Sequence, residues 1–136
     1  KMFNSKHEDV RREIASCLCA LSLGLHHRFN MAQIATSMLM ESVKSNDSAT
    51  VRCGLGAIAN VAEDSSTHPI LISANVMETI LHRLNHAETA IKREAIRAVS
   101  NLLSSTELHA NFLRYNGLDG LIQLQTAVCE DCDCLA

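Results

Sequence analysis

Tryptophan is absent, and aromatic residues make up only 3% of the 136-residue chain. An interior with so few rings must be filled by Leu, Ile, Val, Ala and Met, as in packed helices. Proline occurs once, as Pro69, and glycine five times. So few chain breakers argue against a turn-rich β-sandwich. There is no basic excess either: the net charge is −3, which argues against a nucleic-acid module. No apolar run reaches the length of a membrane span, and no signal-peptide pattern opens the chain. A glycine-rich phosphate loop, a metal-binding helix motif and a nucleophile elbow are all missing, so neither an enzyme nor a cofactor is expected.

What is present suits one helical domain. The hydrophobic fraction of 47% lies in the globular range, and the length allows one real core. Lys1 is not an initiator residue, so a segment of a longer protein is expected. Cys17, Cys19 and Cys53 lie in apolar runs and read as reduced, core-packed or half-buried thiols. Without a secretory signal the expected setting is intracellular: cytoplasmic, with the nucleus as the alternative. The tail "CEDCDC" holds Cys129, Cys132 and Cys134. Zinc needs about four ligands, usually in paired clusters, and the tail offers one cluster among acids that weaken thiolate formation. Residues 127–136 therefore read as an inert Cys/acidic tail without a metal. His26 and His27 read as exposed linker residues.

The chain repeats itself. "VRREIASCLCALS" from Val10, "TVRCGLGAIANVA" from Thr50 and "IKREAIRAVSNLL" from Ile91 align at spacings of 40 and 41 residues. Arg12, Arg52 and Arg93 share a column, as do Cys17, Ala57 and Ala98, and Leu21, Val61 and Leu102. Apolar columns at three- and four-residue steps mark one buried helical stripe. Between them, "LISANVMETILHRL" matches "FLRYNGLDGLIQLQ", with Asn75 over Asn116. Asn and Gly there suit a left-handed turn between two helices. The copy around "NMAQIATSMLMESV" is more diverged. Cap signals are Asp47 with its neighbours, Ser65 to Thr67 before Pro69, and a capping-box spacing of Ser104 and Glu107. The expected unit is a short, a medium and a long helix, near residues 67–74, 76–85 and 88–103.

"REAIRAVSNLL", "SANVMETILHRL" and "YNGLDGLIQL" resemble the armadillo repeat family. The resemblance spans about residues 6 to 126, roughly three units with the first lacking its opening helices; residues 1–126 form the expected repeat segment. It implies an all-α, right-handed superhelical solenoid of three-helix repeats. HEAT repeats differ in having two helices per unit and no asparagine column.

That column is Asn60 and Asn101, with Ala20 in the first copy. In the family it lines a concave groove whose amides clamp the backbone of an extended peptide, since an amide both donates and accepts. The resemblance thus implies a protein-interaction scaffold with a peptide-like protein partner. It points to Asn60, Asn101, Arg97, Arg93, Glu94 and Arg52, with Arg12, Ser16 and Gly56 in the first units. These side chains are expected to lie off the apolar stripe, so that changing the asparagines alters folding little. Nuclear-import members carry Trp four residues before each Asn; Ser16, Gly56 and Arg97 stand there instead, which argues against an import adaptor. The arginine column could attract acidic partners, or be neutralised by Glu13 and Glu94. The second function class is a structural segment packing laterally in a large assembly. In either case a longer array is expected, because solenoid ends need polar caps and Ile14, Leu18, Leu121 and Leu124 would otherwise lie near open ends.

Overall fold

The computed structural model describes residues 7–133, with side chains through Cys129. Eight α-helices and two single 3-10 turns occupy them, and no strand is found among the described residues. The helices are α1 (Glu8–Ser22), α2 (Arg28–Val43), α3 (Ser48–Ala62), α4 (His68–Ser73), α5 (Val76–Leu81), α6 (Thr89–Leu102), α7 (Glu107–Arg114) and α8 (Gly117–Asp133). The long helices α1, α3 and α6 are the three repeat copies, and they pack in a row, α1 on α3 and α3 on α6. The chain is an all-α armadillo-type solenoid, with α2 and then α4–α5 backing the row.

Local chemistry sets the boundaries. Asp47 caps α3, its carboxylate accepting from the Thr50 backbone N–H at 3.0 Å. Asp64 closes the turn Ser65–Thr67 by accepting from Ser66 N–H at 3.0 Å, and Pro69 follows in the first turn of α4. Asn75 and Asn116 are left-handed, at φ 56° and 59°, and each separates two helices. In the unit formed by α2 and α3 the matching position is Ala35, for which that conformation is costly. There α2 runs unbroken for 16 residues, so the expected short-plus-medium pair is one helix. The capping box at Ser104 does not form either. Thr106 precedes α7 without a side-chain cap, because the Ser104 hydroxyl donates to Asn101 O at 2.8 Å and closes α6 instead.

A second column ties the end of each long helix to the next turn of chain. Arg28 Nε donates to Ser22 O at 3.1 Å, His68 Nε2 meets Ala62 O at 2.7 Å, and His109 Nε2 meets Leu103 O at 2.8 Å. Each reaches back six residues to a carbonyl that the helix end leaves unpaired.

Leu39, Leu55, Ile58, Leu71, Ile80 and Ile91 are fully buried and form the centre of one continuous core. Truncating any of them to Ala would cost about 2–5 kcal/mol. Helices α2 and α3 approach closely at Gly54, where a Cβ would fall 2.6 Å from Ser42 Cβ and 3.2 Å from Val43 N. One expectation changes on burial. Cys17 is exposed, because among the described residues no helix covers that side of α1, while Cys19 and Cys53 are half-buried. Leu124, at 7% exposure, joins the core cluster and also lines a groove between α6 and α8. Helix α8 passes residue 126 without a break.

Candidate functional site

The row of long helices carries the predicted residues, and the structure brings four of them together. Asn60 is 5% exposed, inside the stack rather than off its apolar stripe. Its Nδ2 donates to Ser22 Oγ on α1 at 2.9 Å, and its Oδ1 accepts from Arg97 Nη1 on α6 at 2.8 Å. Arg97 also donates to Glu94 Oε2, from Nη2 at 2.7 Å and from Nε at 3.0 Å, and to Gly56 O at 3.3 Å. Glu63 extends the network, lying 3.7 Å from Arg97 Nη1 and 3.0 Å from Arg28 Nη1. One polar chain therefore crosses three successive long helices. The expectation that Asn60 can be changed without affecting the fold is overturned, since a buried amide with two partners supports the stack.

Asn101 occupies the same column one repeat on, at a more open position and with a different partner. Its Nδ2 donates to Ala59 O on α3 at 2.8 Å, and the side chain is half-buried. One hydrogen of the amide nitrogen is thereby engaged.

The arginine column does not act as one strip. Arg12 forks onto Asp47, with Nε to Oδ2 at 3.0 Å and Nη2 to Oδ1 at 2.8 Å, and only 13% of the Asp47 side chain is exposed. Those bonds, with the Thr50 hydroxyl, hold the Asp47 carboxyl well below the usual carboxylate range. Arg12 is thus neutralised by Asp47 from the next repeat, rather than by Glu13 as sequence proximity suggested. Arg52, Arg93 and Ser16 are exposed and stand outside the Asn60 network. Gly56 is buried, and it contributes its carbonyl oxygen.

Ser22, Glu63 and Arg28 complete these networks and went unnoticed in the sequence, and Asp47 was read there only as a helix cap. Ser22 has Ala62 and Leu103 as column mates, so no repeated polar signal marked it.

The remaining candidates show little chemistry. Burial pushes the Cys19 and Cys53 thiols up, and Cys129 is exposed. The side chain of Cys132, and all of Cys134, lie outside the described residues. Among the described residues no group of three or more His, Cys, Asp or Glu could hold a metal ion. His26 and His27 are exposed in the turn Leu25–His27. None of the described helices is long and apolar enough to cross a membrane.

Comparison with known proteins supports the fold. No family model and no curated protein matches the sequence. Solved structures do. A designed armadillo repeat protein in complex with the peptide (KR)4 superposes with a TM-score of 0.82 at 20% identity, over 90% of this chain and 53% of that one. A second designed armadillo repeat protein gives 0.82 at 18% identity, over 90% and 53%. An engineered protein from a structural genomics consortium gives 0.79 at 19% identity, over 90% and 51%. The chain spans about half the length of these structures. At such identities the likeness defines an armadillo repeat fold.

Proposed function

We propose that the chain is a non-enzymatic protein-interaction scaffold, working inside the cell, that holds an extended partner segment along the row of α1, α3 and α6. The observation that carries this reading is Asn101. It stands one repeat beyond Asn60 on a half-buried surface, with one amide hydrogen fixed by Ala59 and the rest of its amide available to a peptide backbone. The fixed hydrogen bond orients the group in advance, which lowers the ordering cost on binding. One designed protein of similar fold is bound to a peptide. Arg93 is exposed and supplies positive charge beside this surface, while the charge of Arg97 is shared with Glu94 and Glu63. An acidic side chain on the partner would therefore meet Arg93 before Arg97.

The test is selection of peptides from a displayed random library, followed by calorimetric titration. Asn101→Ala with Arg93→Ala should weaken binding about tenfold or more, roughly 1.4 kcal/mol per decade. Unchanged affinity in a folded double variant would remove the groove from the account.

Lateral packing in a larger assembly is the second reading. It is favoured by Ile34, 78% exposed on α2, and by Leu25 at 69% in the preceding turn. Large exposed aliphatics on the helix behind the row suit a contact on that side.

A further inference from the structure

Two half-buried thiols border one internal joint, where α1 packs on α3. Cys19 reaches across from α1, and its Sγ lies 3.3 Å from the place a Cβ would take on Gly56. Because Gly56 has no side chain, Cys19 rests directly against the α3 helix. Cys53 stands one turn earlier on α3, three residues before Gly56. Residues three apart on a helix are surface neighbours, with Cβ atoms about 5–6 Å apart. The two cysteines therefore sit beside the same turn of α3, one on each helix of the joint.

Their electrostatics agree with that placement. Burial pushes the Cys19 thiol up, and Cys53 adds to the effect ahead of Glu94. Burial also pushes the Cys53 thiol up, while its leading charged neighbour, Arg52, pulls it down. The pairing is particular to this joint. Where α3 packs on α6, the same two columns hold Ala59 and Glu94.

We infer that Cys19 and Cys53 are a redox modification site, which glutathione disulfide converts to one intramolecular disulfide stapling α1 to α3. Cys53 loses its proton and attacks one sulfur of glutathione disulfide, forming a mixed disulfide and releasing one glutathione thiolate. Cys19 then loses its proton and attacks the Cys53 sulfur, and the second glutathione leaves. Two protein thiols are oxidised, one glutathione disulfide is reduced to two thiols, and those thiols take up the two protons. Cys53 goes first because a neighbouring cation favours its thiolate, whereas Cys19 faces a thiol and a carboxylate. Burial slows the first attack, and the second is intramolecular, so proximity favours closure over a lasting mixed disulfide. The bond brings Cβ atoms to about 3.5–4.5 Å, and no side chain at Gly56 stands in the way of Cys19. It also restricts the unfolded chain between the two residues, which stabilises the stack.

The test is to incubate the reduced 136-residue chain with glutathione disulfide under native conditions, block the remaining thiols and map the peptides by mass spectrometry without reductant. A peptide pair joined through Cys19 and Cys53 should dominate, and the oxidised monomer should melt higher than the reduced one. Dithiothreitol should reverse both changes. Cys19→Ser and Cys53→Ser, shown to fold by melts of their reduced forms, should each lose the thermal shift. Cys17→Ser should keep both the shift and the joined peptides. Mixed glutathione disulfides that never close overturn the inference. So does pairing of either cysteine with Cys17 or Cys129 instead, or a Cys19–Cys53 bond that forms only in denaturant.

Discussion

Arg97 on α6 donates to the amide oxygen of Asn60 on α3 at 2.8 Å, while the amide nitrogen of Asn60 donates to Ser22 on α1 at 2.9 Å. One short side chain thus links three repeats at a position 5% exposed. Burial makes this link a stability element whatever the row of helices binds, because an unpaired polar group inside the stack is costly.

Asn60→Ala should therefore destabilise the chain by about 1–3 kcal/mol, since it removes the donor to the buried Ser22 hydroxyl, which keeps only its own bond to Cys19 O, and an acceptor from Arg97. Asn60→Asp keeps the acceptor for Arg97 but loses the donor to Ser22, and should fall between Ala and wild type. Urea unfolding of the three proteins gives the order directly. An Asn60→Ala variant as stable as wild type would show that the three-helix link contributes nothing.

The repeat itself was legible because its signals are local. Columns such as Leu21, Val61 and Leu102 recur at the helical period, and Asn75 and Asn116 mark turns by their tolerance of positive φ. The burial of Asn60 was not legible. It depends on Ser22, 38 residues earlier, and on Arg97, 37 later, and neither pairing repeats in the adjoining unit. The Arg28, His68 and His109 column lay in the sequence at the repeat spacing. It escaped notice because a guanidinium and an imidazole look unlike until both are seen donating from one position. The continuous α2 follows from Ala35, whose missing turn signal read as divergence rather than as the cause of a fused helix.

Acid should weaken the contact between α1 and α3 through Asp47. Hydrogen bonds from Arg12, then from the Thr50 hydroxyl, hold its carboxyl well below the usual carboxylate range. A depressed carboxyl contributes stability that is complete above its unfolded value of about 3.9 and is lost as pH falls toward the folded value. Arg12 stays charged throughout. Asp47→Asn retains a good helix cap but loses the charged pair, so it should melt lower than wild type at neutral pH. The gap between the two melting temperatures should narrow steadily below about pH 4, the unfolded carboxylate value. Thermal melts from neutral to strongly acid buffer measure it. A gap that stays constant into acid would show that this carboxylate does not link folding to pH.

Gly54 offers a test of how closely α2 and α3 are packed. On helix propensity alone, Gly54→Ala should stabilise α3 by about 1 kcal/mol. The new Cβ would sit 2.6 Å from Ser42 Cβ, closer than side-chain carbons pack, with Val43 N at 3.2 Å and Leu39 O at 3.3 Å. Because Ser42 Cβ is attached directly to the α2 backbone, no rotamer change relieves the clash and the helices must separate. Overpacking of this kind typically costs about 1–3 kcal/mol, enough to cancel or reverse the propensity gain. Ser42→Gly alone should cost up to about 1 kcal/mol as a glycine inside a helix, and it also removes the hydroxyl bonded to Met38 O. Combined, the substitutions exchange the glycine from α3 to α2 and relieve the closest contact. The double variant should then be more stable than the sum of the single effects, by roughly 0.5 kcal/mol or more. The relief is partial because the two backbone contacts of the Cβ remain. Denaturant unfolding of the four proteins closes the cycle. Additive effects would show that α2 and α3 have room to spare at this crossing.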